Sequence, residues 1–289
     1  MKKGFLVLFF AFIGTFSAFG QELQPHTCGN AQDQTDFLPR LRENKIVMEA
    51  MRAAAADRGE TKYVPIHFHL VADAAGNGRH KEIRVLEQLC KLNASYLPVG
   101  IQFYLSAHPT HGLFDKSIDN DKIYSEQTNT LVMNLRRHNN AVNVYVVEAA
   151  VSGNGGSGIT LAYYHTQHDW VVSRKDQING SSPNWVIPHE VGHFFSLPHT
   201  FFGYESESFA PGSTGWPTAP VLAPNNDGTT TERQNATNCA TSADEICDTP
   251  PDYNFGYIAS SCANYTGGAK DPLGTLDVYK RQAQFRVME

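Results

Sequence analysis

Hydrophobic and polar positions alternate along this chain with two different rhythms. In Lys62 to Ala72, KYVPIHFHLVA, the apolar residues Ile66, Phe68 and Leu70 alternate with His67 and His69. That period of two predicts a strand with one face buried. From Lys81 to Leu92 the spacing becomes helical, with Ile83, Leu86, Leu89 and Cys90 as the expected inward face and Cys90 as a small buried hydrophobe. Gly100 to Ser106 predicts another strand, Asn129 to His138 a short helix, and the run AVNVYVVEA from Ala141 to Ala149 a buried strand. Ile159 to Tyr164 alternates again. This order predicts an α+β domain, a mixed sheet with crossover helices packed on it. Earlier in the chain, Asn44 to Arg58 has a helical pattern with Ile46, Val47, Met51 and Ala54 on one face. Beyond Phe201, Pro211, Gly212, Gly215, Pro217, Pro220, Pro224 and Gly228 interrupt any regular element and predict a loop-rich C-terminal subdomain.

The stretch Trp185 to Thr200, WVIPHEVGHFFSLPHT, breaks this scheme by placing ionisable residues inside an apolar segment. His189 and His193 are four apart and share one face of a helix. Glu190 follows the first of them and is placed to act on a water. His199 joins the pair only if the helix ends near Phe195, and Leu197-Pro198 supplies the stop. Three neutral imidazoles leave a fourth tetrahedral position open, which is the donor set of a catalytic Zn²⁺. Pro188 sits directly before His189, so the helix either starts close to Asn184, with the proline in its first turns, or is kinked there. His67 with His69, and His165 with His168, are read as ordinary strand and solvent-facing residues.

Composition narrows the setting. The chain has 289 residues, with 23 Lys plus Arg against 29 Asp plus Glu, for a net charge of −6. No basic stripe interleaved with aromatics occurs, which argues against nucleic acid as a partner. Met1-Lys2-Lys3, the apolar run Phe5 to Phe16 and the small residues around Ala18 and Gly20 form a secretory signal, so 1–20 is expected to be removed and the protein exported. No later segment is long enough for a membrane span. Residues 21–60 read as a propeptide or N-terminal arm, and 61–289 as one domain, expected to be monomeric. Of the five cysteines, Cys28, Cys90, Cys239, Cys247 and Cys262, the last three cluster and predict a disulfide whose pairing stays open. Asp244, Glu245, Asp248 and Asp252 form an acidic patch, readable as a solvated loop or as oxygen ligands for Ca²⁺. The strand before the zinc segment is expected to be a sheet edge, with Ile159, Thr160 and Leu161 pairing to an extended peptide substrate.

HEVGHFFSLPHTF, with DEICDTPPDYN downstream, resembles the pappalysin family of metzincin zinc peptidases, including its ulilysin-like bacterial members of the cytophagalysin type. The resemblance spans about Lys62 to Tyr265. It implies a metzincin-like zincin fold, with a twisted five-stranded sheet and two long helices above a lower half of little regular structure. It also implies zinc on His189, His193 and His199, Glu190 as general base, and Asp244 and Asp248 in the acidic segment where calcium is held. His26-Thr27-Cys28-Gly29-Asn30 resembles the family's propeptide element, which implies Cys28 as a zinc ligand in a latent form. Ser196 stands where the family has glycine, at a helix end that needs positive φ. The family's methionine turn has no counterpart between Met133 and Met288. Asp277-Val278-Tyr279-Lys280-Arg281-Gln282 resembles the translation of a transposase adapter, which implies that the segment with this turn was lost at a junction near Leu276. The expected function is a secreted zinc endopeptidase. A gluzincin with Glu205 or Glu207 as third ligand, and a secreted binding or adhesion protein with a structural zinc, are the alternatives; Glu190 argues against the latter, because a structural site needs no base.

Overall fold

The computed structural model describes residues 26–27, 37–53, 61–119, 126–150, 159–178, 185–204, 218–224, 228–253, 269–274 and 276–277. The signal segment, Cys28, Glu205, Glu207, the Gly-rich stretch 151–158 and residues 278–289 lie outside them. The elements run β1 (His26–Thr27), α1 (Phe37–Ala53), β2 (Lys62–Leu70), α2 (Glu82–Tyr96), β3 (Ile101–Leu105), β4 (Phe114–Asp115), α3 (Glu126–Arg136), β5 (Val142–Val147), β6 (Ile159–Thr160), β7 (Ala162–His165), β8 (Trp170–Arg174), α4 (Val186–Phe194), β9 (Ala269–Lys270) and β10 (Leu276–Asp277).

The main sheet has the order β3-β2-β5-β8-β7, with β4 pairing the end of β2. β2 is parallel to β3, β4 and β5, and β5 is parallel to β8; β7 alone runs antiparallel, against β8. This is the expected mixed α+β sheet. Every residue of β5 is buried, as its unbroken apolar run requires of a central strand. One face packs Ile66, Phe68, Leu70, Val144, Val146 and Val171 against Val85, Leu92 and Tyr96 of α2 and Ile187 and Val191 of α4. The other face gathers Val71, Met133, Tyr145, Trp170 and Val172. The described part of the chain beyond Phe201 is mostly turns, held by a small cluster of Tyr204, Ala219, Ala223 and Tyr253 and by the disulfide Cys239–Cys247, with Cα atoms 5.0 Å apart.

Several helix and strand expectations need correction. α2 runs on to Tyr96, and that added turn selects Val85, Gln88, Leu92 and Tyr96 as the buried stripe. Ile83 and Leu86, expected inside, are exposed at 56% and 40%, and Cys90 is an exposed free thiol. α1 starts seven residues before the expected Asn44, and its buried pair is Phe37 and Leu41 at i, i+4, while Ile46 and Val47 face water. The single strand expected over Ile159 to Tyr164 is two: β6 pairs in parallel with β1, and β7 is the edge of the main sheet. β8 was not foreseen, because WVVSR carries no turn signal of its own.

His67 and His69 are structural, as expected of ordinary strand residues, and both are fully buried. His67 Nδ1 donates to the Ser106 carbonyl at 2.8 Å. His69 lies between the Asp115 carboxylate at 2.9 Å and Asn143 Oδ1 at 3.0 Å, its ring stacked on Tyr145 at 4.1 Å. These bonds fasten β4 and the loop after β3 to the sheet.

Burial pushes His67 down to about 4, with His69 and then His138 acting in the same sense and the Ser106 carbonyl and Asp115 against it. An unfolded histidine takes up its proton near 6.5, so the unfolded state binds more protons between about 4 and 6.5. The stability contributed by His67 is therefore complete above about 6.5 and is lost as pH falls. Urea midpoints measured from pH 7 to 4 are expected to decline, and to decline less steeply in His67→Gln. Equal slopes would place the acid sensitivity elsewhere.

Candidate active site

α4 starts at Val186, so Pro188 occupies its third position, inside the first turn. The first intrahelical bond is His189 N–H to the Trp185 carbonyl at 2.8 Å. Proline thus stands at the last place where its missing N–H removes no helical bond, and the helix is not kinked. His189 and His193 follow on one face, with Glu190 buried between them.

The helix ends in a reversal. Ser196 has φ 67°, the left-handed conformation. The Leu197 N–H bonds the Gly192 carbonyl at 3.1 Å and the Ser196 N–H bonds the His193 carbonyl at 2.8 Å. Those two bonds define a Schellman motif, with a serine where glycine is usual. The reversal carries the Leu197 carbonyl back to His193 Nδ1 at 2.7 Å and returns His199 to the face it had left.

All three ring Nε2 atoms converge, His193 to His189 at 3.1 Å and His199 to His189 at 3.3 Å. A tetrahedral zinc with Zn–N of about 2.0–2.1 Å would hold its nitrogens about 3.3–3.4 Å apart. The Leu197 carbonyl takes the Nδ1 proton of His193 and leaves the Nε2 lone pair for a metal. Burial holds His189 down at about 3, with His199 adding to the shift, and lowers His193 well below its ordinary range. Both are therefore neutral, as ligands must be. The donor set fits zinc, and these three residues form the one group of three or more potential ligands found among the described residues.

α1 lies over the site. Phe37 stacks on His193 with ring centres 5.0 Å apart and on Tyr164 at 5.9 Å. Arg40 donates to Tyr164 Oη at 2.9 Å, the Thr166 carbonyl at 3.2 Å and Asp169 at 3.0 Å. Asn44 donates to Ser196 Oγ at 3.2 Å, Arg42 pairs with Glu245, and Lys45 donates to the Glu245 carbonyl. None of these contacts was visible in the sequence; the i, i+4 pair Phe37 and Leu41 was the only trace of them.

The acidic segment divides. Asp244 is buried, with Oδ1 accepting from the Ile246 N–H at 3.0 Å and Oδ2 from Thr249 at 2.9 Å, whereas Asp248 is exposed. Burial raises Asp244 to about 6, and burial with the neighbouring Asp244 raises Glu232 to about 8. Asp252 accepts from Thr200 at 3.0 Å and so tethers the residue after His199. His165, expected at the solvent, is buried and packs on His168 and Trp170.

The sheet, the helix and the converging histidines form a mixed α/β, zincin-like fold with a His-triad metal site of the kind a zinc-dependent peptidase uses. Residues 93–200 match the family described as metallo-peptidase family M12B, reprolysin-like. Among curated proteins, the chain is similar to an extracellular metalloprotease of Colletotrichum graminicola, 26% identical over 213 residues, covering 67% of this chain and 72% of that protein. It is also similar to an extracellular metalloprotease of Neurospora crassa, 24% identical over 250 residues, with 78% and 85% covered. Among solved structures, a promirolysin mutant of Tannerella forsythia is 16% identical with a TM-score of 0.40, covering 80% of this chain and 89% of that one. Mature mirolysin of that organism in complex with a cleaved peptide is 17% identical with a TM-score of 0.37, covering 70% and 86%.

Replacing Ser196 by glycine relieves a side chain held at positive φ. Thermal unfolding of Ser196→Gly is expected to show a gain of up to about 1 kcal/mol, reduced by the lost bond from Asn44. A destabilised glycine variant would mean that the serine hydroxyl outweighs the backbone strain.

Proposed function

We propose that this protein is an exported endopeptidase in which His189, His193 and His199 hold zinc and Glu190 is the general base. The convergence of the three Nε2 atoms carries this reading. When bound, zinc supplies Lewis acidity, lowering the pKa of a water to about 7 and drawing electrons from the scissile carbonyl. Glu190, buried on the same helix face, takes the proton from the attacking water and delivers it to the leaving amine. His193 is kept in the productive tautomer by the Leu197 carbonyl. An extended substrate pairs along Ile159, Thr160 and Leu161, the segment that leads into the edge strand β7. Export is supported by the signal-like start of the chain and by the extracellular relatives.

Residues 21–60 act as an inhibitory propeptide in this reading. Two observations support it. β1 takes the pairing along Ile159–Thr160 expected of a peptide, and it ends one residue before Cys28, the candidate thiolate ligand. α1 lays Phe37 over His193. A calcium ion on Asp244, beside the buried Glu232 carboxyl, is part of the same proposal. Asp248 would join only as an exposed outer ligand.

Three experiments test these assignments. Glu190→Gln is expected to bind one zinc and to lose peptide hydrolysis by several orders of magnitude, and Phe37→Ala to raise the hydrolysis of the full-length chain. Near-normal turnover in Glu190→Gln would remove Glu190 as base, and unchanged activity in Phe37→Ala would remove the inhibitory role of α1. Millimolar calcium is expected to raise the unfolding temperature by a few degrees, and to fail to do so in Asp244→Asn. An equal rise in both proteins would move the ion elsewhere.

A further inference from the structure

α4 carries two ligands and the base in only nine residues, and its N-cap residue Trp185 makes no side-chain capping bond. Its orientation must therefore be set from outside. Apolar packing fixes the height of a short helix above a sheet, but it is a poor guide to rotation about the helix axis, since neighbouring ridges offer similar contacts. A directional bond resolves that rotation. Tyr96, the last residue of α2, is fully buried, and its hydroxyl donates to the Pro188 carbonyl at 2.9 Å. A Cβ placed on Gly192 would lie 3.6 Å from the same oxygen, and the ring is 5.9 Å from that of Phe195. Tyr96 thus spans the stripe formed by residues 188, 192 and 195, one step round the helix from His189 and His193.

The tyrosine is itself held firmly. One turn earlier, the Asn93 amide donates to the Phe103 carbonyl at 3.0 Å and accepts the Phe103 N–H at 2.6 Å, which clamps the end of α2 to β3. Tyr96 also meets Phe103 edge to face at 5.3 Å. A continuous path runs from β3 through Asn93 and Tyr96 to the backbone of the residue before His189.

We infer that Tyr96 is a positioning residue for the metal centre, setting the rotation of α4 and with it the direction of the His189 and His193 nitrogens. This rests on the zinc reading above, and a test that needs no substrate separates the two. The full-length chain and Tyr96→Phe are loaded with cobalt(II), and the visible ligand-field bands, the zinc dissociation rate and peptide hydrolysis are compared. Tyr63→Phe, at an exposed tyrosine, is the control. Tyr96→Phe is expected to shift the bands, to release zinc about tenfold faster and to lower kcat by about tenfold with KM little changed, while Tyr63→Phe matches the parent. Should Tyr96→Phe not fold, Asn93→Ser, which opens only the clamp on β3, is expected to move the same bands. Bands and zinc release identical to the parent, with only a lowered unfolding temperature, would make Tyr96 a packing residue and overturn the inference. If the parent binds cobalt but neither it nor Phe37→Ala hydrolyses peptide, the peptidase reading fails while the bands still decide the role of Tyr96.

Discussion

α4 supplies two imidazoles and then runs out of useful surface, because a third residue on its face would lie too far along the axis to reach the same ion. The third nitrogen has to come from a chain that has turned back, and the turn is made at one residue held at positive φ. The two bonds that close the helix at Ser196 satisfy carbonyls a helix end otherwise leaves open, and they bring the Leu197 carbonyl to His193 and His199 to the shared centre. Capping, tautomer and metal geometry are settled by the same few atoms. The rest of the domain serves to hold this helix and the chain that returns from it.

That stillness comes from the sheet. β5, buried throughout, sets the plane on which α2 and α4 lie side by side. α2 is pinned at its end by Asn93 and Tyr96, and α4 receives its rotation through a carbonyl that a proline leaves in a regular first turn. The loop-rich part beyond Phe201 contributes less order, but among the described residues it reaches the site where Asp252 holds Thr200 next to the third histidine.

The zinc segment was legible in the sequence because its determinants are local. Four-residue spacing places His189 with His193, and Leu197-Pro198 forbids a straight continuation, so sixteen residues contain the whole argument. The sheet was legible for the same reason in β2, β3 and β5, whose patterns declare themselves. The misreadings share a cause. On α2, the stripe of Ile83, Leu86 and Cys90 and the stripe of Val85, Leu92 and Tyr96 are about equally apolar, and only the sheet beneath decides between them. On α1, Ile46 and Val47 look like an inner face, yet the partner surface selects Phe37 and Leu41. β6 and β7 part because one pairs with a strand more than a hundred residues away in sequence. No periodicity records a partner that distant.

α1 covers the metal site through few contacts: one stacked ring, a partly exposed Arg40 ion pair and bonds to Glu245. On the proposal that residues 21–60 are an inhibitory propeptide, such contacts would suffice while the segment is covalently linked, because linkage makes its binding intramolecular. After a cut, the same contacts would have to hold at the concentration of free peptide. Weakness in the contacts would then let dilution alone complete the release.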